Sequence, residues 1–379
     1  MKNNKLIFSI DRLIILLLSM YIVISVLGTY GIIIFDYYLK LLILFCLLTY
    51  VMLSIYFKIL NKSKFKVIDI FSIFYILYYL IYLLINNSLN LGYVLIIFYF
   101  PLITLAASFS IKKSNLQFVL NLFLILSFFL MLTFSYETII LGEVNGIYIN
   151  TIYYSILSIL FVLINKNVFV KYLGIFYILI LSAYSSKRTA LIIALIIISL
   201  EILRNISKNN SYYQVFLKYL KISLSIFLVI FSFYATVEIF NSKIDEKILN
   251  IFNDGGSGRT DIIYILFNEL KISNIFEILW GHGVNSTSIY TGGLSAHNDF
   301  LEVFFNYGLF GLMLYIVFWV ILLYRLLIMR KAKSDDTFVY MISIIVFLFV
   351  SLFSHLIYIP TYILLLIVFW NMVWQRQIK

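Results

Sequence analysis

Cysteine is almost absent from this chain. Cys46 is the only one, and it lies inside an apolar run, so neither a disulfide framework nor a cysteine-based metal site is available. Proline is nearly as scarce, with Pro101 and Pro360 alone. Charge is thin as well: Asp, Glu, Lys and Arg make up 12% of the 379 residues, about half the share carried by soluble globular domains. What is present is apolar, 63% of the chain, with a mean hydropathy of +1.05. No water-soluble fold hides that much apolar surface, and disorder is excluded on the same ground. Because the apolar character runs along the whole length rather than at one end, the expectation is a polytopic membrane protein and not a secreted protein with a cleaved leader.

Apolar runs near the twenty residues that a bilayer demands fall at about 10–28, 37–57, 68–85, 92–111, 116–136, 150–165, 168–184, 189–205, 217–240, 301–324, 338–354 and 361–374. The expected fold is therefore all-α: a polytopic integral membrane protein, residues 1–379 as a single membrane domain, with about twelve transmembrane helices. The first run has basic residues before it but no small-residue cleavage site, so it is read as a span and not as a signal peptide.

The net charge of +11 would suit a nucleic-acid partner in a soluble protein. Here topology explains it. With the N-terminus inside, the tail and even-numbered loops take Lys2, Lys5 and Arg12, the Lys58 to Lys66 cluster, Lys112 and Lys113, Lys166 and Lys171, Arg204 to Lys221, Arg325 to Lys333, and Arg376 with Lys379, which is 21 of the 28 basic residues. That asymmetry satisfies the positive-inside rule, supports an even number of spans with both termini cytoplasmic, and removes any need for nucleic acid. Seven bases stay outside: Lys40, Lys187, Arg188, Lys243, Lys247, Arg259 and Lys271. Most of the acids and all three histidines, His282, His297 and His355, join them. Few charges fall at a predicted midplane, where a transporter places its coupling residues.

Residues 241–300 form one long extracytoplasmic loop between the ninth and tenth spans, far longer than an ordinary connection and too apolar for disorder. The stretch 260–270 has the pattern of an amphipathic helix able to lie on the membrane surface, with Thr260 as its cap. Asn274 and Glu277 have capping-box spacing for a second short helix ending at Gly281. The loop is thus expected to contain short helices and to be functional rather than disordered.

Three constellations carry candidate chemistry. Ser185-Ser186-Lys187-Arg188-Thr189 puts two cations at an outer surface; they suit an anion, Arg188 through its planar fork, or else they snorkel to lipid headgroups. The run Asp254 to Asp261, with Gly258 before Arg259, offers exposed backbone N–H groups and a guanidinium at a helix start, which favours phosphate or pyrophosphate; it lacks the Walker spacing, and a plain glycine-rich turn is the alternative. The third runs from Trp280-Gly-His282-Gly through Ser295-Ala-His297-Asn298-Asp-Phe-Leu-Glu302 to Asn306-Tyr-Gly308 and Gly311. Ser295 has the character of an N-cap, which places His297 in a first helical turn where an imidazolium is disfavoured. A neutral His297 is fit to act as a general base; the alternative is a structural histidine. His282, between glycines, fits the shaping of a turn, and His355 fits a structural role. No metal-ligand spacing is present, and neither a metal nor another cofactor is expected.

In this order and topology, Ser186-Lys187-Arg188 after an outward-facing span, Gly258-Arg259 opening a long external loop, Gly281-His-Gly283, and Ala296-His297-Asn298 followed by Leu301 and Asn306-Tyr-Gly308 resemble the O-antigen polymerase and O-antigen ligase superfamily. The resemblance covers about 180–312. It implies a metal-independent glycosyltransferase at the outer face of the cytoplasmic (inner) membrane, with an undecaprenyl pyrophosphate-linked oligosaccharide as donor. Residue by residue, it makes Arg188 and Arg259 the pyrophosphate-binding arginines and His297 the base that deprotonates the acceptor hydroxyl, with Lys187, Gly258, His282, Asn298 and Glu302 as substrate-binding or positioning residues. The partners it suggests are the lipid bilayer, a chain-length regulator and a flippase. A polymerase of O-antigen or capsule is the favoured member, because no appended soluble domain is present to recognise a protein acceptor. The alternatives are a ligase acting on a lipid A core or a protein, and a lipid-linked oligosaccharide flippase.

Overall fold

The computed structural model describes residues 2–29, 35–85, 91–136, 151–185, 187–207, 259–332, 334, 336–354 and 359–377. Among these there is no strand, and helices account for most of the chain: α1 (Lys2–Thr29), α2 (Asp36–Leu60), α3 (Val67–Ile85), α4 (Leu91–Ser110), α5 (Leu116–Ser135), α6 (Ile152–Leu163), α7 (Val168–Tyr184), α8 (Arg188–Ser207), α9 (Arg259–Ile272), α10 (Ile275–Trp280), α11 (Ser286–Tyr290), α12 (Asp299–Lys331), α13 (Thr337–Phe353) and α14 (Pro360–Gln377). The all-α membrane architecture expected from composition is therefore present. Among the described residues five stretches are long and apolar enough to cross a bilayer, Ile10–Thr29, Asp36–Leu60, Val67–Ile85, Lys113–Ser135 and Asp299–Lys331; five more apolar helices are shorter, at 10–17 residues. The expected span at 217–240 lies outside the described residues.

Helices apolar on every side must be either enclosed by protein or bathed in lipid, and the chain contains both kinds. Every residue of α6 is buried, as is each from Thr361 to Val373 in α14. These two form the centre, packed through Tyr154 on Tyr362 and Phe161 on Phe369, with ring centroids 4.5 and 5.5 Å apart. Helix α5 closes on α6 through Phe123 against Phe161 and a 2.9 Å hydrogen bond from the Ser127 hydroxyl to the Ser158 carbonyl. Helix α2 is peripheral. Only Ile43, Leu44, Leu47 and Val51 are buried, while Phe45, Met52 and Phe57 on its other sides are each more than half exposed, as expected of a surface whose solvent is hydrocarbon.

Among the described residues, all the ion pairs but Lys40 with Asp36, at the opposite end of α2, sort to one end of the bundle. Lys58 pairs with Asp69, Lys112 with Asp11, Lys171 and Arg204 with Glu201, and Arg376 with Asp336. Arg325, near the end of α12, lies within electrostatic range of Lys66 in the same group. Those of the described basic residues that form these pairs, which the sequence places on one side, thus meet in space. Helix α12 is a ruler between this basic end and the other: Asp299 to Arg325 is roughly 40 Å of helix at 1.5 Å per residue, enough to cross the ~30 Å hydrocarbon core. The chain leaves α8 at the basic end and re-enters the described residues at Arg259, at the far end.

Candidate functional site

The far end is built by fastening the segment from α9 to α11 onto the head of α12. Asn274 and Glu277 form the expected reciprocal capping box, each backbone N–H donating to the other's side chain at 2.9 Å, and α10 ends at Gly281 with φ of +85°. Gly281 then meets Gly308 backbone to backbone. A Cβ on Gly281 would stand 2.3 Å from the Asn306 carbonyl oxygen, and one on Gly308 would stand 2.4 Å from that of Leu279. Gly308 has φ of +66° inside α12 and kinks it, a conformation glycine alone enters freely. The kink interrupts the helical ladder, so carbonyls near it need other donors. Those of Phe305 and Asn306 accept from His282 and Gly283 N–H at 3.0 and 3.2 Å, and those of Asn306 and Tyr307 from the Tyr82 and Tyr78 hydroxyls at 2.6 and 2.8 Å. The glycines in Trp280-Gly-His-Gly and Asn306-Tyr-Gly are two halves of one joint.

His282 is consumed by this joint. Its ring stacks on Phe305 at 4.3 Å, Nε2 lies 2.8 Å from the Ser273 hydroxyl, and Nδ1 lies 3.3 Å from the Phe305 carbonyl. Its contacts therefore tie the turn to α12, in keeping with a turn-shaping residue and leaving no ring nitrogen for a substrate. Asn306 is equally occupied: its Oδ1 accepts from the Ser286 hydroxyl, the Thr287 N–H and the Thr287 hydroxyl at 2.8–2.9 Å, docking α11.

His297 stands just before α12, and here the structure corrects the sequence reading. The N-cap is Asn298, not Ser295: its side chain accepts from Leu301 N–H at 3.1 Å. Both residue types cap well, but Asn298 has the extended backbone that lets its short amide turn back to the third helical N–H, and this starts the helix at Asp299, two residues after His297. His297 is thus outside the first turn, with φ of +51°. Likewise Thr260 is not a cap but the second residue of α9. Glu302, buried one turn into α12, accepts from Ala296 N–H at 2.6 Å and thereby holds the backbone immediately before His297.

Around His297 the cations converge. Arg259, at the head of α9, acts electrostatically on Lys187, on His297 and on the Tyr153 hydroxyl. Lys187 sits in a turn where its N–H donates to the buried Ser185 hydroxyl at 3.2 Å. Burial first, then Arg259, then Lys187 push the His297 imidazole below its ordinary pKa of 6.5. Burial and Arg259 likewise lower Lys187. This is the same direction as the one expected from a helix N-terminus, but its causes are burial and two neighbouring cations. Tyr153, from the head of the central α6, also reaches the Thr189 and Ser354 side chains. Nothing in the sequence singled out Tyr153 or Ser354, each an ordinary polar residue at the end of an apolar run, and Thr189 entered only as the last residue of the Ser185 to Thr189 run.

Beside His297 is a cavity of about 420 Å³, with Ser288, Ser295, Glu302 and Asn306 as polar lining and Val284, Leu294 and Ile359 as apolar lining. That volume and mixed wall suit a small polar ligand or part of a larger one. Arg188 opens α8, next in the chain to Lys187; its side chain, Gly258 with the rest of 254–258, and His355 lie outside the described residues. Among the described residues no cluster of three or more His, Cys, Asp or Glu could hold a metal ion. The chain matches no protein-family model and no curated protein.

Proposed function

We propose that this chain is a polysaccharide polymerase of the O-antigen polymerase and O-antigen ligase type. It would transfer an undecaprenyl pyrophosphate-linked glycan onto a lipid-linked repeat unit at the outer face of the cytoplasmic membrane. The observation that carries this reading is that Arg259 and Lys187 both act electrostatically on His297, which itself lines a cavity, at the end of the bundle opposite the basic cluster. The topology that goes with it has twelve spans, counting 217–240, and both termini inside; the positive-inside bias then assigns the basic end to the cytoplasm.

In this mechanism the acceptor hydroxyl gives its proton to His297 as its oxygen forms a bond to the donor's anomeric carbon. The bond from that carbon to the pyrophosphate oxygen breaks, and the electron pair leaves with the lipid pyrophosphate. Charge grows on that leaving group, and Arg259 with Lys187 and Arg188 offsets it. Arg259 and Lys187, which add to burial in lowering the His297 pKa in the free enzyme, are the cations the pyrophosphate engages, so donor binding makes the imidazole a better base.

The test is to purify the chain, supply lipid-linked repeat units, and follow product length on a gel. The expected result is a ladder of polymer that Arg259→Ala, Arg188→Ala and His297→Ala each abolish at unchanged protein yield. Long polymer from all three variants overturns the reading, and product formed only on a lipid A core or protein acceptor replaces polymerase by ligase.

A further inference from the structure

At the basic end, about 24 Å along α14 from the first cavity at the helical rise, a second and larger cavity of about 780 Å³ opens among α1, α2, α4 and α14. Lys58, Lys64, Lys66 and Lys112 line it, with Asp11 as the only lining carboxylate. Lys112 is paired to Asp11 at 2.6 Å and Lys58 to Asp69 at 2.9 Å. The Lys66 ammonium donates to the carbonyl and hydroxyl of Ser108 at 2.9 and 3.5 Å, while its backbone N–H donates to Asp69 Oδ2 at 3.0 Å. Burial first, and then Lys58, Arg325 and Lys112, pull its ammonium down to about 8 against the opposing effect of Asp69. Cations crowded into a partly desolvated cleft disfavour one another, and a bound anion relieves all of them together.

The cavity's other wall is apolar. Leu53 and Phe57 of α2 line it while remaining more than half exposed on the outer, hydrocarbon-facing side of the bundle. A ligand that fills this cleft therefore has an anionic head for the lysines and an apolar body for α2, and basic pockets between membrane helices characteristically receive such headgroups. We propose that this cavity binds the phosphate headgroup of an anionic membrane phospholipid, with its acyl chains running along α2 past Leu53 and Phe57. The site is separate from the one around His297 and does not depend on the glycan-transfer reading.

The experiment uses the full chain reconstituted in nanodiscs of phosphatidylglycerol or phosphatidylcholine, followed by native mass spectrometry of retained lipid, with inorganic phosphate titrated into the detergent-solubilised protein as the second arm. Phosphatidylglycerol is expected to be retained in preference to phosphatidylcholine. The exposed Lys64→Gln lowers that retention about fivefold and Lys64→Gln with Lys66→Gln about 25-fold, from the usual worth of a lysine near an anionic lipid. Lys62→Gln, outside the lining, changes nothing. Displacement of the lipid by inorganic phosphate supports headgroup recognition. Equal retention of the two lipids, or no loss in Lys64→Gln and in the double variant, overturns the site; phosphate binding without phosphatidylglycerol retention overturns the lipid as its source.

Discussion

His297 occupies a backbone conformation, φ +51°, that few side chains tolerate and that must be held from outside. Glu302 on one side and the Asn298 cap on the other do this. His297→Asn suits the same backbone region, so it is expected to fold normally and form no polymer, as judged by thermal melting and the product ladder. Glu302→Gln keeps an acceptor for Ala296 N–H and should retain most activity, whereas Glu302→Ala, which leaves that buried donor unmet at a cost of about 1–3 kcal/mol, should lose it with little change in donor KM. The charge on His297 makes a separate prediction. Its lowered pKa means that the neutral, proton-accepting form persists below pH 6.5 and is lost only as pH falls through the lowered value. The acid limb of kcat/KM, which reports the free enzyme, should therefore lie below pH 6.5 and move up toward it in Lys187→Gln. The acid limb of kcat should lie higher, because bound pyrophosphate offsets the same cations. Profiles that coincide, or a limb unmoved in Lys187→Gln, contradict this coupling. Arg259 stood out in the sequence because charge on the outer side runs against the positive-inside bias, and His297 because it lies in a Ser295-Ala-His-Asn run at a helix start. Tyr153 was not legible, since one tyrosine among 31 becomes distinctive only beside Arg259.

At the scale of elements, the joint between α10 and α12 is the feature on which the site depends. Gly281 and Gly308 both have positive φ, and at either a Cβ would come within 2.5 Å of backbone atoms. Backbone cannot move aside as a side chain can, so Gly281→Ala or Gly308→Ala should cost about 3 kcal/mol or more from conformation and clash together. A strongly lowered melting midpoint in detergent would show it. Tyr82→Phe is the contrast. The Asn306 carbonyl keeps its bond from Gly283 N–H, so the loss should be near 1 kcal/mol, with the site still assembled. The capping box over Asn274 and Glu277 was readable because both partners are local. The cap of α12 was misplaced at Ser295, because two good capping residues lie three apart and the choice between them rests on dihedral angles that their sequence context leaves open.

Over the whole molecule, the two cavities mark two ends that the same helices connect, and the proposed topology puts a membrane between them. In a Cys46→Ser background, Leu294→Cys should react with a membrane-impermeant maleimide on intact cells and Lys64→Cys only after permeabilisation. Leu294 is 52% exposed beside the His297 cavity and Lys64 is exposed at the basic end, so accessibility alone favours neither. The reverse pattern would invert the topology and remove the proposed reaction from the outer face. The sequence by itself determined that the chain is an all-α membrane protein and which bases share an end, because hydropathy and charge act through the solvent around each segment and need no knowledge of neighbours. Only the tertiary structure decided that Lys187, Arg259 and His297 share one field, that His282 serves packing while Glu302 holds the histidine's backbone, and that four lysines line a cleft at the other end. Those relations join residues far apart in the chain, and they exist only once helix packing has fixed which surfaces meet.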